Sequence, residues 1–143
     1  MTAPDIEPFQ RYLETLTPHT VGGLGVLVAR DVRFIDPFHD VSGAVAMEKV
    51  FAAIFTSLAN VRFTVTDRAW SGSAWYLRWR FEGERRQGSQ IIAFDGMSEI
   101  YFDDDGKVRF YRDHWDAAQG LYERLPFIGP ILRWLRRRIA DGA

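Results

Sequence analysis

Asp31-Val32-Arg33-Phe34-Ile35-Asp36-Pro37-Phe38-His39-Asp40-Val41-Ser42-Gly43 is the stretch around which the rest of the chain is organised. Val32 and Phe34 alternate with Arg33, the pattern of a short strand that ends at an aspartate followed by proline. Pro37 has a fixed φ and keeps Asp36 away from helical angles, so the Asp36 carboxylate leaves an extended, poorly mobile backbone. Phe34, Ile35 and Phe38 around it offer little solvation. A carboxylate with apolar neighbours is costly to keep charged, which makes it a candidate general base. The same residues also fit a plainer role, because aspartate before proline commonly opens a turn. His39 and Asp40, which follow, read either as an orienting pair or as solvated loop residues that cap the next helix.

The chain that surrounds this stretch has 143 residues, enough for one domain with a real core and too few for two. Aromatic residues make up 15%, which points to a ring-rich core or a ring-lined pocket. A net charge of -1 argues against a nucleic-acid partner, since phosphate binding needs surplus Lys and Arg. With no cysteine, disulfides, thiol nucleophiles and cysteine metal sites are excluded. The start lacks the basic and apolar blocks of a signal peptide, and no apolar run is long enough to span a bilayer, so a soluble cytoplasmic protein is expected.

Ile6, Phe9, Leu13 and Leu16 have the spacing of one helix face, with Asp5 as N-cap and Pro8 in the first turn. A second helix is expected from about Thr20 to Ala29, against the pull of Gly22, Gly23 and Gly25. The spacing of these glycines fits no phosphate loop. Ala44 to Leu58 reads as a third helix. Strands follow. Val61, Phe63 and Val65 alternate with polar residues, as do Trp75, Leu77, Trp79 and Phe81. Gln90 to Phe102 is a long strand whose Gly96 suggests a bulge or bend. Asp103 to Gly106 makes a hairpin turn, and Lys107 to Trp115 returns. The aspartate run lacks the downstream carboxylate of a calcium loop. His19, His39 and His114 are too scattered for a metal site. The fold class is therefore α+β: three N-terminal helices against a curved, mostly antiparallel sheet.

The C-terminal piece is different. Ile128, Ile131, Leu132, Leu135 and Ile139 fall at helical spacing, with Arg133, Arg136, Arg137 and Arg138 on the other face and Trp134 at the border. Leu121 to Ile139 reads as a basic amphipathic helix, suited to peripheral membrane contact or to packing on its own domain or on a second subunit.

Asp36-Pro37-Phe38, the element order and the ending Tyr111-Arg112-Asp113-His114-Trp115-Asp116 together resemble the NTF2-like superfamily, in its ketosteroid isomerase and SnoaL-like polyketide cyclase branches. The resemblance implies an NTF2-like domain over residues 1–118, a helical extension over 119–143, a cone-shaped fold around an apolar pocket, and a homodimer. In the ketosteroid isomerase pattern a tyrosine on the first helix precedes the catalytic aspartate at a fixed spacing. Tyr12 stands at that spacing before Asp36, following Arg11. The resemblance thus implies Asp36 as proton-abstracting base and Tyr12 as donor to the developing enolate oxygen. The chain departs from that pattern once. Where ketosteroid isomerases keep a second, neutral carboxylic acid as hydrogen-bond donor, Ser98 stands here.

Counted against the same family, Tyr111, Asp113 and Trp115 face the pocket. Asp113 is then a second acid that shuttles the proton or donates a hydrogen bond, unless it forms a salt bridge with Arg78, Arg80 or Arg109. The expected wall is Phe38, Trp75, Leu77, Trp79, Phe81, Phe94 and Trp115, with Ser98 and Tyr111 as its polar members. The function so implied is proton transfer next to a carbonyl in a small hydrophobic molecule, an isomerase or cyclase activity that needs no cofactor and no metal. The alternative is a non-catalytic module for hydrophobic-ligand binding or dimerisation. No arginine–x–aspartate pair on a middle strand favours the epoxide hydrolase branch.

Overall fold

Alternation in the second half of the chain builds the sheet, and apolar helix faces close one side of it. The computed structural model describes residues 2–120 and 128–141. Helix α1 (Glu7–Glu14) is followed by a 3-10 turn (Val21–Val26), β1 (Val28–Ile35), β2 (Asp40–Ser42) and α2 (Ala44–Ser57). Four long strands come next: β3 (Leu58–Trp70), β4 (Trp75–Arg85), β5 (Ile91–Phe102) and β6 (Val108–His114). The short α3 (Ala117–Gly120) and then α4 (Ile128–Ala140) complete the order. The first part of the C-terminal helix expected from Leu121, residues 121–127, lies outside the described residues.

The sheet has six strands in the order β2-β1-β6-β5-β4-β3. All neighbours are antiparallel except β1 and β6, which run parallel. Fold class and helix–sheet arrangement are as expected, with two local differences. The second α-helix expected from about Thr20 to Ala29 does not form. Gly22, Gly23 and Gly25 lose too much backbone entropy there, and the segment tightens into one 3-10 turn. The chain then enters β1 at Val28, so that strand is eight residues long and reaches β6, where Val108 N–H donates to Leu27 O at 3.0 Å.

Of the bulge or bend expected at Gly96, the bulge is absent, because the β4–β5 ladder passes through Trp79↔Gly96 in register. The reason for glycine there is a close approach: a Cβ on Gly96 would stand 2.3 Å from the Trp79 ring. The indole lies across the strand where any other side chain would sit.

Helix α1 begins where Asp5 Oδ1 accepts the Glu7 N–H at 3.0 Å, with Ile6 as the N-cap residue. It buries Phe9, Tyr12 and Leu13. These meet Phe34, Met47, Phe51, Leu77, Ile100 and Tyr111 in one core between helices and sheet. The outer face of the sheet is polar, with Arg80 reaching both Glu82 and Asp95, and exposed His114 paired with Glu99 at 3.0 Å.

Candidate active site

The loop that joins β1 to β2 is fixed by its own aspartate. Asp36 Oδ1 accepts the Phe38 N–H at 2.8 Å and the His39 N–H at 2.7 Å. His39 Nδ1 lies 2.9 Å from the same oxygen and 3.1 Å from Oδ2. Gly43, at φ +104°, turns the chain from β2 into α2 and donates its N–H to Val32 O at 2.7 Å, closing the far side of the loop. Asp36 therefore opens a turn, and its side chain, only 13% exposed, also lines a cavity. His39 and Asp40 do not pair with each other. His39 turns to Asp36, while Asp40 takes both Nε and Nη2 of Arg33 at 3.0 and 2.8 Å in an exposed ion pair.

A second polar group stands on β5 and β6, where Ser98 and Asp113 are register partners. The Ser98 hydroxyl donates to Asp113 Oδ1 at 2.5 Å. Trp79 Nε1–H donates to Ser98 Oγ at 2.8 Å, and the Tyr111 hydroxyl lies 2.8 Å from the same oxygen. Enclosure by the surrounding rings pushes the Asp113 carboxyl from the ordinary 3.8 up to about 7; the bonds from Ser98 and Tyr111 pull it down, and the charge of Asp36 adds to the rise. Asp113 is half-buried by surface, and the surface it keeps belongs to the cavity. Burial first, and then the negative charge of Asp113, hold the Tyr111 phenol well above its usual range, so it keeps its proton as a donor. The salt-bridge alternative for Asp113 does not form. Arg78 bonds Thr66, Arg80 bonds Glu82 and Asp95, and Arg109 bonds Phe102 O.

Both carboxyls open onto one cavity of about 490 Å³. Its wall is mostly apolar. Phe38, Trp115, Phe94 and Phe81 form a chain of ring contacts with centroids 5.6, 4.4 and 5.1 Å apart. Trp79 and Tyr111, also expected from the sequence, line it too. Val50, Phe51 and Ile54 of α2, Phe63 of β3 and Arg85 at the end of β4 also line it. Their apolar spacing signals burial, and spacing cannot tell a packed face from one that borders a void. Among the described residues Arg85 is the one lysine or arginine in the lining.

Three residues expected at the site stand elsewhere, and one stands behind it. The Tyr12 hydroxyl donates to Val21 O at 2.8 Å, in the core beneath the 3-10 turn, and Tyr12 does not line the cavity. Burial, with the charge of Glu48, keeps that phenol strongly protonated. Trp75 sits towards the N-terminus, its Nε1–H donated to Pro4 O at 2.9 Å. Leu77 is fully buried in the core and does not line the cavity. Ser98 is buried one layer behind, where it holds Asp113 and Tyr111.

Helices on one face of a curved, unclosed sheet with this site at one end define a protein of the NTF2-like, ketosteroid isomerase-like fold. The SnoaL-like domain family matches residues 9–111, and the chain belongs to that family. Similar solved structures include a hypothetical protein of ketosteroid isomerase-like fold from Catenulispora acidiphila in complex with trimethylamine (16% identity, TM-score 0.69, 84% of this chain and 92% of that one). An NTF2-like protein of unknown function from Burkholderia pseudomallei superposes with TM-score 0.71 at 15% identity, over 82% of this chain and 95% of that one. A putative SnoaL-like polyketide cyclase from Jannaschia sp. CCS1 does so with TM-score 0.63 at 13% identity, over 80% and 82%. No curated protein matches the sequence.

Proposed function

We propose that the protein catalyses cofactor-free proton transfer next to a carbonyl in a small hydrophobic molecule. The observation that carries this reading is that Asp36 and Asp113 line one apolar cavity, the second carboxyl held at about 7 by desolvation. Asp36, oriented by His39, takes a proton from the carbon beside the carbonyl. The electron pair moves onto the carbonyl oxygen, where neutral Asp113 and Tyr111 donate hydrogen bonds to the enolate. Return of the proton to another carbon is isomerisation. Attack of the enolate carbon on a second carbonyl is ring closure. Trp79, Phe81, Phe94 and Trp115 exclude water and so strengthen these interactions. The oxyanion role that the resemblance gives to Tyr12 passes here to Tyr111 and Asp113, because the Tyr12 hydroxyl is already used by Val21 O.

The test is deuterium exchange at the α-carbon of 2-tetralone in D2O, followed by NMR. The protein is expected to accelerate exchange, and Asp36→Asn to abolish it while tetralone binding survives. Exchange that persists in Asp36→Asn removes the base assignment. One observation favours a second reading, a non-catalytic binder of hydrophobic ligands: the Asp36 carboxylate is already engaged by Phe38 and His39 of its own loop. Tight binding of apolar ketones without any accelerated exchange selects that reading.

A further inference from the structure

No described side chain of helix α4 lines the cavity or belongs to the core. Its sequence, IGPILRWLRRRIA, places Ile131, Leu135 and Ile139 at intervals of four, in one strip along the helix. These three side chains are 64%, 46% and 69% exposed, and Trp134 beside them is 53% exposed. The domain therefore leaves the strip uncovered, in a surface whose other large apolar residues are scattered. At about 100° per residue, Arg133 and Arg137 stand on the far side of the helix from that strip, while Arg136 and Arg138 flank its two edges. Arg138 lies over the Trp134 ring, 5.2 Å from its centroid. No aspartate or glutamate interrupts the helix. In a chain of net charge -1, this is a local concentration of cations.

We propose that α4 is an interfacial helix that docks the protein on the surface of an anionic phospholipid bilayer. Ile131, Leu135 and Ile139 enter the boundary between head groups and acyl chains. Trp134 sits at the border, and the arginines meet lipid phosphates and anionic head groups. No helix of the described residues is long and apolar enough to cross a membrane, so α4 lies along the surface. A second copy is the poorer occupant. A two-fold contact is self-complementary, so the strip of one copy would meet the strip of the other and bring arginine against arginine. Docking does not depend on the chemistry proposed for the cavity, though a bilayer is where an apolar ligand for that cavity dissolves.

Flotation of the full-length protein tests this, with large unilamellar vesicles of phosphatidylcholine alone or mixed equally with phosphatidylglycerol. The protein is expected to float with the mixed vesicles, to stay behind with phosphatidylcholine alone, and to be partly released by salt. At about fivefold per basic residue near a charged surface, Arg137→Gln with Arg138→Gln lowers partitioning about twenty-five-fold. Ile131→Asp with Leu135→Asp abolishes flotation, with an unchanged circular dichroism spectrum showing that the fold is intact. The proposal is overturned if the protein stays soluble with mixed vesicles, floats equally on phosphatidylcholine alone, or floats unchanged in the variants. It is also overturned if Ile131→Asp instead splits a stable dimer that no vesicle binds.

Discussion

Protons at the site are shared among Ser98, Tyr111 and Asp113, and the placement of Asp113 has a measurable consequence for stability. Its carboxyl ionises at 3.8 when exposed and at about 7 in the folded protein. Between those values the folded chain holds a proton that the unfolded chain has released. This contribution to stability is therefore full below about pH 4, falls as pH rises to about 7, and is level above that. Asp113→Asn has no such loss. Its melting temperature should gain on that of the parent across this range, as thermal denaturation at a series of pH values will show; a constant difference would mean that the carboxyl is well solvated. The proposed proton transfer follows the same proton. If neutral Asp113 donates to the enolate, kcat/KM falls as pH rises through about 7, and Asp113→Asn removes that limb from the profile. The two tyrosines separate by the same logic. Tyr111→Phe should cost about a hundredfold in turnover, the lower end of what an oxyanion donor supplies. Tyr12→Phe should cost less than tenfold and instead destabilise the fold by about 1 kcal/mol, through the unpaired Val21 carbonyl. The place of Asp113 beside Tyr111 and Trp115 came from the family resemblance, and all three line the cavity. The direction of the Tyr12 hydroxyl was not legible, because it depends on a carbonyl in a turn whose form the sequence left uncertain.

Within the elements, β4 and β5 show how one ring sets the geometry of the site. Trp79 crosses Gly96 in ring contact with Phe63 and Phe94, at centroid distances of 4.7 and 6.0 Å, and its Nε1–H holds Ser98. Gly96→Ala puts a methyl group 2.3 Å from that indole, so the ring has to move. The expected cost is about 1–3 kcal/mol from overpacking, read as a lower midpoint of urea denaturation. The displaced indole also releases Ser98, so the alkaline limb of the activity profile should shift as well. A midpoint equal to that of the parent would show that Trp79 has room elsewhere. The glycine itself was visible in the sequence and its meaning was not, since a bulge and a close approach leave the same gap in an alternating pattern. The strands were legible because their period of two extends over many residues. The parallel pairing of β1 with β6 was not, because it joins residues about 80 positions apart and no local pattern records a partner so distant.

Taken whole, the molecule keeps its described core ahead of the C-terminal helix. The buried core runs from Ile6 to Tyr111, with Trp115 partly buried against it, and among the described residues none of α3 or α4 belongs to it. The family match ends at residue 111, and α4 presents Ile131, Trp134, Leu135 and Ile139 to solvent. Each fully buried large apolar side chain stabilises a fold by about 1.5–3 kcal/mol, while exposed residues such as Ile131 and Ile139 contribute little of this. A chain of residues 1–118 should therefore fold by itself. Its circular dichroism spectrum should keep the strand signal, its melting temperature should stay within a few degrees of the full-length value, and α-proton exchange on 2-tetralone should persist. Vesicle flotation should be lost, because docking depends on the helix that was removed. A shortened chain that melts far lower would instead show that residues after 118 contribute to the stability of the fold.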